Sequence, residues 1–349
     1  MDEREKEPGV LAHELNAAPA EDDGRRRRPF FILSIDGGGF RGAFAAHVLR
    51  RIEEELKVTW QSASGMFAGT STGSILAAGL ASGMSAETLA GFYETHGKAI
   101  FKPRVRSRLD FLKVLTSRYS SDTLRQILEQ EFGDTTLGQV QVPLLMPSVD
   151  IGNGCVHVFK SRYADFVRDS GVRLSDAVLA SCSAPTYFDP HIVNNKYHLA
   201  DGGLWANNPS LAAVIDAHHR LNIPLEDIRV LSIGTGKSNT FYTRSDGKLH
   251  DLLIRSWQGW GFATRWQRSK LLDLILNLQS DAAHNMLCLL LRESPGEGKN
   301  ICRLTFESDA PLPMDATTKL PDWISQADKT FTHNAARVVE FLRPSGVAR

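Results

Sequence analysis

Asp36-Gly37-Gly38-Gly39-Phe40-Arg41-Gly42 and Gly69-Thr70-Ser71-Thr72-Gly73 are the two stretches whose reading decides the fold. The first follows an apolar run over residues 30–35 and leads into a helix-like stretch over 42–57. The second follows the short run 65–68 and leads into Ile75-Leu76-Ala77-Ala78. A serine between two glycines at a strand-to-helix corner is the pattern of a nucleophile elbow. Small neighbours let the chain turn sharply and leave the hydroxyl exposed above a helix N-terminus. A serine that merely caps a helix needs no such flanking glycines. The consecutive glycine N–H groups of the first turn suit a complementary task, receiving the oxyanion that such a serine creates, with the positive end of the following helix behind them. The two turns together predict an acyl-transfer hydrolase. Gly37, Gly38, Gly39, Arg41 and Gly42 form the cradle, and Gly69 and Gly73 frame Ser71. Arg41 fixes the loop or adds positive potential without needing to touch substrate.

Two nucleotide-binding patterns compete with this reading. Gly37, Gly39 and Gly42 satisfy G-x-G-x-x-G, but that fingerprint wants an acidic residue at the end of a second strand ~20 positions on. Here Glu53, Glu54 and Glu55 arrive early, inside a helix-like stretch. Gly234-Thr235-Gly236-Lys237-Ser238 matches the end of a P-loop, yet Leu231 occupies the position of its earlier glycine. A turn after a buried strand fits better.

Outward from the two turns, apolar strand-like runs alternate with helical ones. Strands are predicted at 144–150, 157–160, 197–200 and 229–233. Helices are predicted at 85–97, 121–132 with Ser121-Asp122 as its cap, 175–181 and 209–221. Such alternation implies an α/β fold with a mostly parallel sheet covered on both faces. Three regions result: a flexible charged tail over 1–28, ending in the arginine run 25–28; a core over 29–237; and an extension over 238–349 packed on the core. The extension opens with an aromatic stretch, Phe241, Tyr242, Trp257, Trp260, Phe262 and Trp266, and predicts an amphipathic helix or helix pair at 270–292 and a helix at 329–342. The basic and apolar residues of 101–109 suit either a loop that rests on anionic lipid and gates an acyl-chain entrance or an ordinary exposed loop.

The chain has 349 residues, enough for a large core, with Lys plus Arg equal to Asp plus Glu at 40 each. That balance argues against a nucleic-acid partner held by bulk charge. Cys155, Cys182, Cys288 and Cys302 show no metal-like spacing and read as buried free thiols. No run approaches the ~20 apolar residues of a membrane span, and the charged N-terminus has no signal-like segment. A cytoplasmic protein is the expectation.

Ser71 needs a base, and an acid-then-histidine order would draw on His218, His219, His250 or His284. None of these lies in a turn of active-site character. Asp201-Gly202-Gly203, at the end of the strand predicted at 197–200, is the better candidate, since open α/β sheets place their sites at strand carboxyl ends.

With these residues in place, the chain resembles the patatin-like phospholipases. It carries a glycine-rich oxyanion loop, a G-x-S-x-G serine and a D-G-G aspartate in the same order. The similarity extends through Tyr119-Ser120, Phe132-Gly133-Asp134, Asp150, the run from Leu174 to Phe188 and Ser232-Ile233-Gly234-Thr235-Gly236, covering roughly 29–237. The resemblance implies the patatin-like three-layer fold and a Ser71–Asp201 dyad without histidine. It also implies oxyanion donors at Gly38 and Gly39, no metal or other cofactor for the chemistry, and a membrane glycerophospholipid substrate met by peripheral association. Size and the additional C-terminal third most resemble the CapV-type effectors of bacterial anti-phage (CBASS) signalling. Those imply activation by a cyclic dinucleotide, oligomerisation on activation, and degradation of the cell membrane. The alternatives are a constitutive lipid acyl hydrolase or lysophospholipase, and a nonhydrolytic cyclic-nucleotide or lipid-binding protein.

Overall fold

The structure is a computed structural model that describes residues 28–104, 117–239, 268–294 and 298–343. All but the last residue of the 1–28 tail, most of the 101–109 loop, His250 and the aromatic stretch from Phe241 to Trp266 lie outside the described residues.

The chain opens β1 (Phe30–Ile35), α1 (Gly42–Leu56), α2 (Trp60–Ala63), β2 (Met66–Gly69), α3 (Thr72–Ala81), α4 (Ala86–Ile100) and α5 (Ser121–Phe132). It continues with β3 (Leu144–Asp150), β4 (Cys155–Lys160), α6 (Leu174–Ser181), β5 (His191–Val193), β6 (Tyr197–Asp201), α7 (Gly203–Ala206), α8 (Ser210–Arg220) and β7 (Ile228–Ile233). The last third adds β8 (Lys237–Ser238), α9 (Arg268–Leu290), β9 (Ile301–Leu304), β10 (Glu307–Ser308) and α10 (Leu320–Leu342).

One eight-stranded sheet runs β5-β6-β3-β2-β1-β7-β9, with β4 on the other edge of β3. β3, β2, β1, β7 and β9 are parallel along this path. β4 and β6 run antiparallel to β3, and β5 runs antiparallel to β6. Strand periodicity divides the core in two, because successive side chains face opposite sides of the sheet. Phe31, Leu33 and Ile35 of β1 enter one apolar cluster with α1, α3, α4 and α10. Ile32 enters a second with Ala213, Val214 and Ala217 of α8 and Leu287 of α9. The result is the expected three-layer α/β architecture. The last third is part of it, since β9 pairs with β7 in register, Val230 against Ile301 through Ile233 against Leu304.

Local signals differ from expectation at three points. α5 is capped by Ser120, not Ser121: Ser120 keeps an extended backbone, and its hydroxyl accepts the Asp122 N–H at 3.2 Å. α10 begins at Leu320 rather than Lys329, with Pro321 in the first turn, where a missing N–H costs no helix bond. Cys182, Cys288 and Cys302 are buried free thiols, but Cys155 is exposed, standing first in β4 beside a turn.

Candidate active site

The site forms where two strands meet end to end. Leu145 of β3 pairs with Ala68 of β2 on one edge and with Lys160 of β4 on the other; Ser148 pairs with Asp201 of β6 and with His157 of β4. A strand has only two edges, so β2 and β6 share one edge of β3 and approach each other from opposite directions. Their C-terminal ends converge at the gap around Pro147. Proline has no N–H to leave unpaired there, and its carbonyl accepts the Ser181 hydroxyl at 2.7 Å. The Ser181 oxygen in turn accepts the Ser71 N–H at 3.0 Å, so α6 anchors the turn after β2 to the gap. The rule that parallel sheets expose their sites at strand carboxyl ends does not by itself place Asp201. Its strand runs the other way, and the register with Ser148 brings the carboxylate level with Ser71.

Ser71 adopts φ 54°, ψ −124°, and its side chain makes no capping bond to α3. A residue other than glycine held there stores strain on the order of 1–3 kcal/mol, which surrounding contacts must over-determine. They do so closely: a Cβ at Gly69 would collide with the Gly73 carbonyl, and one at Gly73 with the Ile35 carbonyl. Thr70 secures the turn from the other side, donating to the Ala206 carbonyl at 2.6 Å.

The glycine-rich loop is held by its flanks and open in the middle. The Gly37 N–H donates to the Asn207 carbonyl at 2.9 Å, and the Gly37 carbonyl accepts the Thr235 hydroxyl at 2.6 Å. The buried Arg41 donates from Nε to the Gly38 carbonyl at 3.2 Å. Among the described residues the Gly38 and Gly39 N–H groups make no backbone hydrogen bond, and both residues line the pocket that holds Ser71 and Asp201. Gly37, Arg41 and Gly42 support that loop from outside the pocket lining; Gly42 begins α1 against Thr72 and Tyr93.

Asp201 is buried, and burial pushes its carboxyl up to about 6; a hydrogen bond from the Ser71 hydroxyl and one from the Gly203 N–H at 2.7 Å act against that rise. A carboxylate in this range accepts a proton near neutral pH far better than an ordinary aspartate does. The pocket wall is mostly apolar, with Phe101, Tyr187, Phe188, Leu272, Leu276 and Met314 among its residues and Asn207 beside them. Such a site strips water from the reacting atoms and strengthens each hydrogen bond to a developing charge.

Of the candidate histidines, His218 and His219 lie exposed on α8, and His284 on α9 sits beside Cys288; none lines this pocket. Gly234-Thr235-Gly236 is the turn after β7 whose threonine braces Gly37. Cys182 borders the pocket as a thiol whose ionisation burial opposes. Sequence reading missed Ser181 as the anchor of the elbow, although it stands in the 174–188 run. It also missed Leu272, Leu276 and Met314, which come from the last third and carry no local signature. Among the described residues no group of three or more His, Cys, Asp or Glu is placed to hold a metal ion, and no helix is long and apolar enough to cross a membrane.

The chemistry open to a strained serine beside a buried proton acceptor, in an apolar pocket, is that of an ester hydrolase. Residues 33–214 match the family model of patatin-like phospholipases. The chain is 33% identical over 277 residues to the cGAMP-activated phospholipase of Escherichia coli (strain TW11681), covering 75% of each. It is 29% identical over 275 residues to the cUMP-AMP-activated phospholipase of Escherichia coli, covering 76% of this chain and 78% of that one. Among solved structures, VipD from Legionella pneumophila aligns over 88% of this chain and 67% of its own, with 11% identity and a TM-score of 0.41. The chain belongs to the patatin-like phospholipase family and is a hydrolase of lipid esters.

Proposed function

We propose that this protein cleaves acyl esters of membrane glycerophospholipids through Ser71 and Asp201, and does so when a cyclic dinucleotide is bound. Asp201 takes the proton of the Ser71 hydroxyl as Oγ attacks the ester carbonyl carbon. The carbonyl oxygen, now an alkoxide, receives the Gly38 and Gly39 N–H groups. Asp201 then gives its proton to the leaving alcohol oxygen as the ester C–O bond breaks, leaving the acyl group on Ser71. Water repeats the sequence, with Asp201 as base again, and a fatty acid leaves.

The observation that carries this reading is the convergence of β2 and β6 on one edge of β3, which sets a strained serine against a carboxylate raised to about 6. Nucleotide control is supported by the names of the relatives, activated by cGAMP in one case and by cUMP-AMP in another. Membrane degradation in anti-phage defence is the outcome such control would serve.

Fatty-acid release from mixed bacterial phospholipid vesicles tests the whole reading, using wild type, Ser71→Ala and Asp201→Ala with and without a panel of cyclic dinucleotides. Release that requires both residues and one nucleotide is expected. Release without nucleotide would make the protein a constitutive lipase, and wild-type release that persists in Ser71→Ala would remove the dyad.

A further inference from the structure

Ser71 stands at the junction of two apolar cavities, and they are not equivalent. Gly39, Ser71, Phe101, Cys182 and Phe188 line both. The first continues past Asp201, Leu204 and Asn207. The second continues between α3, α4 and α5 past Phe40, Tyr93, Ile100 and Leu124, and Asp201 is no part of it. Past Ser71, its hydroxyls Thr72 Oγ1 and Tyr93 Oη hydrogen-bond to each other at 2.5 Å, and Tyr93 Oη also reaches the Thr72 carbonyl at 3.4 Å.

We propose that the acyl chain to be cleaved occupies this second arm, and that Phe92 and Ile75 form the stop that selects its length. The inference deepens the reading of Ser71 and Asp201 above and rests on it. Whatever protonates the leaving alcohol must touch that oxygen, so the alcohol half of the ester lies in the arm that contains Asp201. The acyl half extends from the other side of the attacked carbon, into the arm that, past the shared Gly39 and Ser71, offers no charged group to a head group.

The far wall of this arm is also the near wall of another space. Ile75 and Phe92 line the arm and also a groove of about 240 Å³ whose other walls include Met84, Leu89 and Phe132. The arm itself is narrow, about 40 Å³. Both dividing side chains are buried, at 5% and 7% exposure, and the Phe92 ring is wedged edge-on against Tyr93 with centroids 5.6 Å apart. A short acyl chain ends before this partition. A longer one meets Phe92, and removing the ring joins arm and groove into one channel.

The test is the ratio of kcat/KM for palmitoyl over butyryl p-nitrophenyl esters, measured with cGAMP present for wild type, Phe92→Ala, Phe92→Leu and Ser71→Ala. Phe92→Ala is expected to raise that ratio by roughly tenfold or more, the discrimination that a few methylenes in an apolar pocket provide. Phe92→Leu should raise it less, and it carries the comparison if the alanine variant does not fold by circular dichroism. A ratio unchanged in folded Phe92 variants, with Ser71→Ala inactive, overturns the acyl arm while leaving the dyad in place. Turnover persisting in Ser71→Ala overturns the dyad and the arm together.

Discussion

Arg303 grips both carboxylate oxygens of Asp36, from Nη1 at 2.8 Å and from Nη2 at 2.5 Å, across 267 positions of sequence. The same Nη1 reaches Ser232 Oγ at 2.6 Å, and Ser280 on α9 donates to Asp36 at 3.3 Å. Asp36 is the residue from which the glycine-rich loop starts, so β9 and α9 hold the loop from the last third of the chain. Removing one partner of a buried ion pair leaves the other charge without compensation. Arg303→Met should therefore cost about 3–5 kcal/mol in urea unfolding. The double variant Asp36→Leu with Arg303→Met should recover much of that stability without recovering full hydrolysis, because the loop loses its anchor.

Strain at Ser71 separates two inactive variants by stability. Both Ser71→Ala and Ser71→Gly should lower kcat by on the order of 10⁴-fold or more, as loss of a nucleophile does. Only glycine relieves the backbone at φ 54°. Ser71→Gly should accordingly unfold at higher urea than Ser71→Ala, by about 1 kcal/mol.

Asp201 must be ionised to take the Ser71 proton, and its carboxyl is raised to about 6. The expected profile of log kcat/KM rises with pH through about 6 and levels above it. A profile that is flat from pH 5 to 8, measured on a soluble ester to avoid changes in vesicle charge, would count against Asp201 as the base.

Stability runs opposite to activity over that range. Asp201 and Asp273 are both raised by burial from 3.8 to about 6, so between those values the folded chain binds more protons than the unfolded one. Their contribution is complete at low pH and is lost as pH rises through about 6. Asp273 lies close enough to Arg41 for the guanidinium to pull its value down, and its Oδ1 is buried with no hydrogen-bond partner among the described residues. Asp273→Asn should flatten the fall in melting temperature between pH 4 and 6 while the activity midpoint stays near that of Asp201.

Arg41 donates to the Gly38 carbonyl and stands outside the pocket lining, so the role we propose for it is to hold the loop. Arg41→Met should lower kcat by about 10²-fold with a much smaller change in KM, the cost of donors displaced from the developing oxyanion. Single-turnover kinetics on the same soluble ester separates the two parameters.

Short-range sterics are written in local sequence. The elbow was legible because only glycine fits where positions 69 and 73 pack against carbonyls, and β1 and β2 because their apolar runs end at those turns. Alternating strand and helix patterns imply an α/β sheet covered on both faces, and the carboxyl end of a predicted strand, together with the family resemblance, points to Asp201. What brings Asp201 to Ser71 is a register, β6 against the same edge of β3 that β2 occupies, and no local pattern encodes which edge two distant strands will share. The Arg303–Asp36 grip, the Ser181 anchor, the pocket walls from α9 and the loop at Met314, and the Phe92 partition belong to the tertiary structure for the same reason. Each is a contact between residues far apart in the chain, and only the packing of helices on both faces of one sheet brings them within reach.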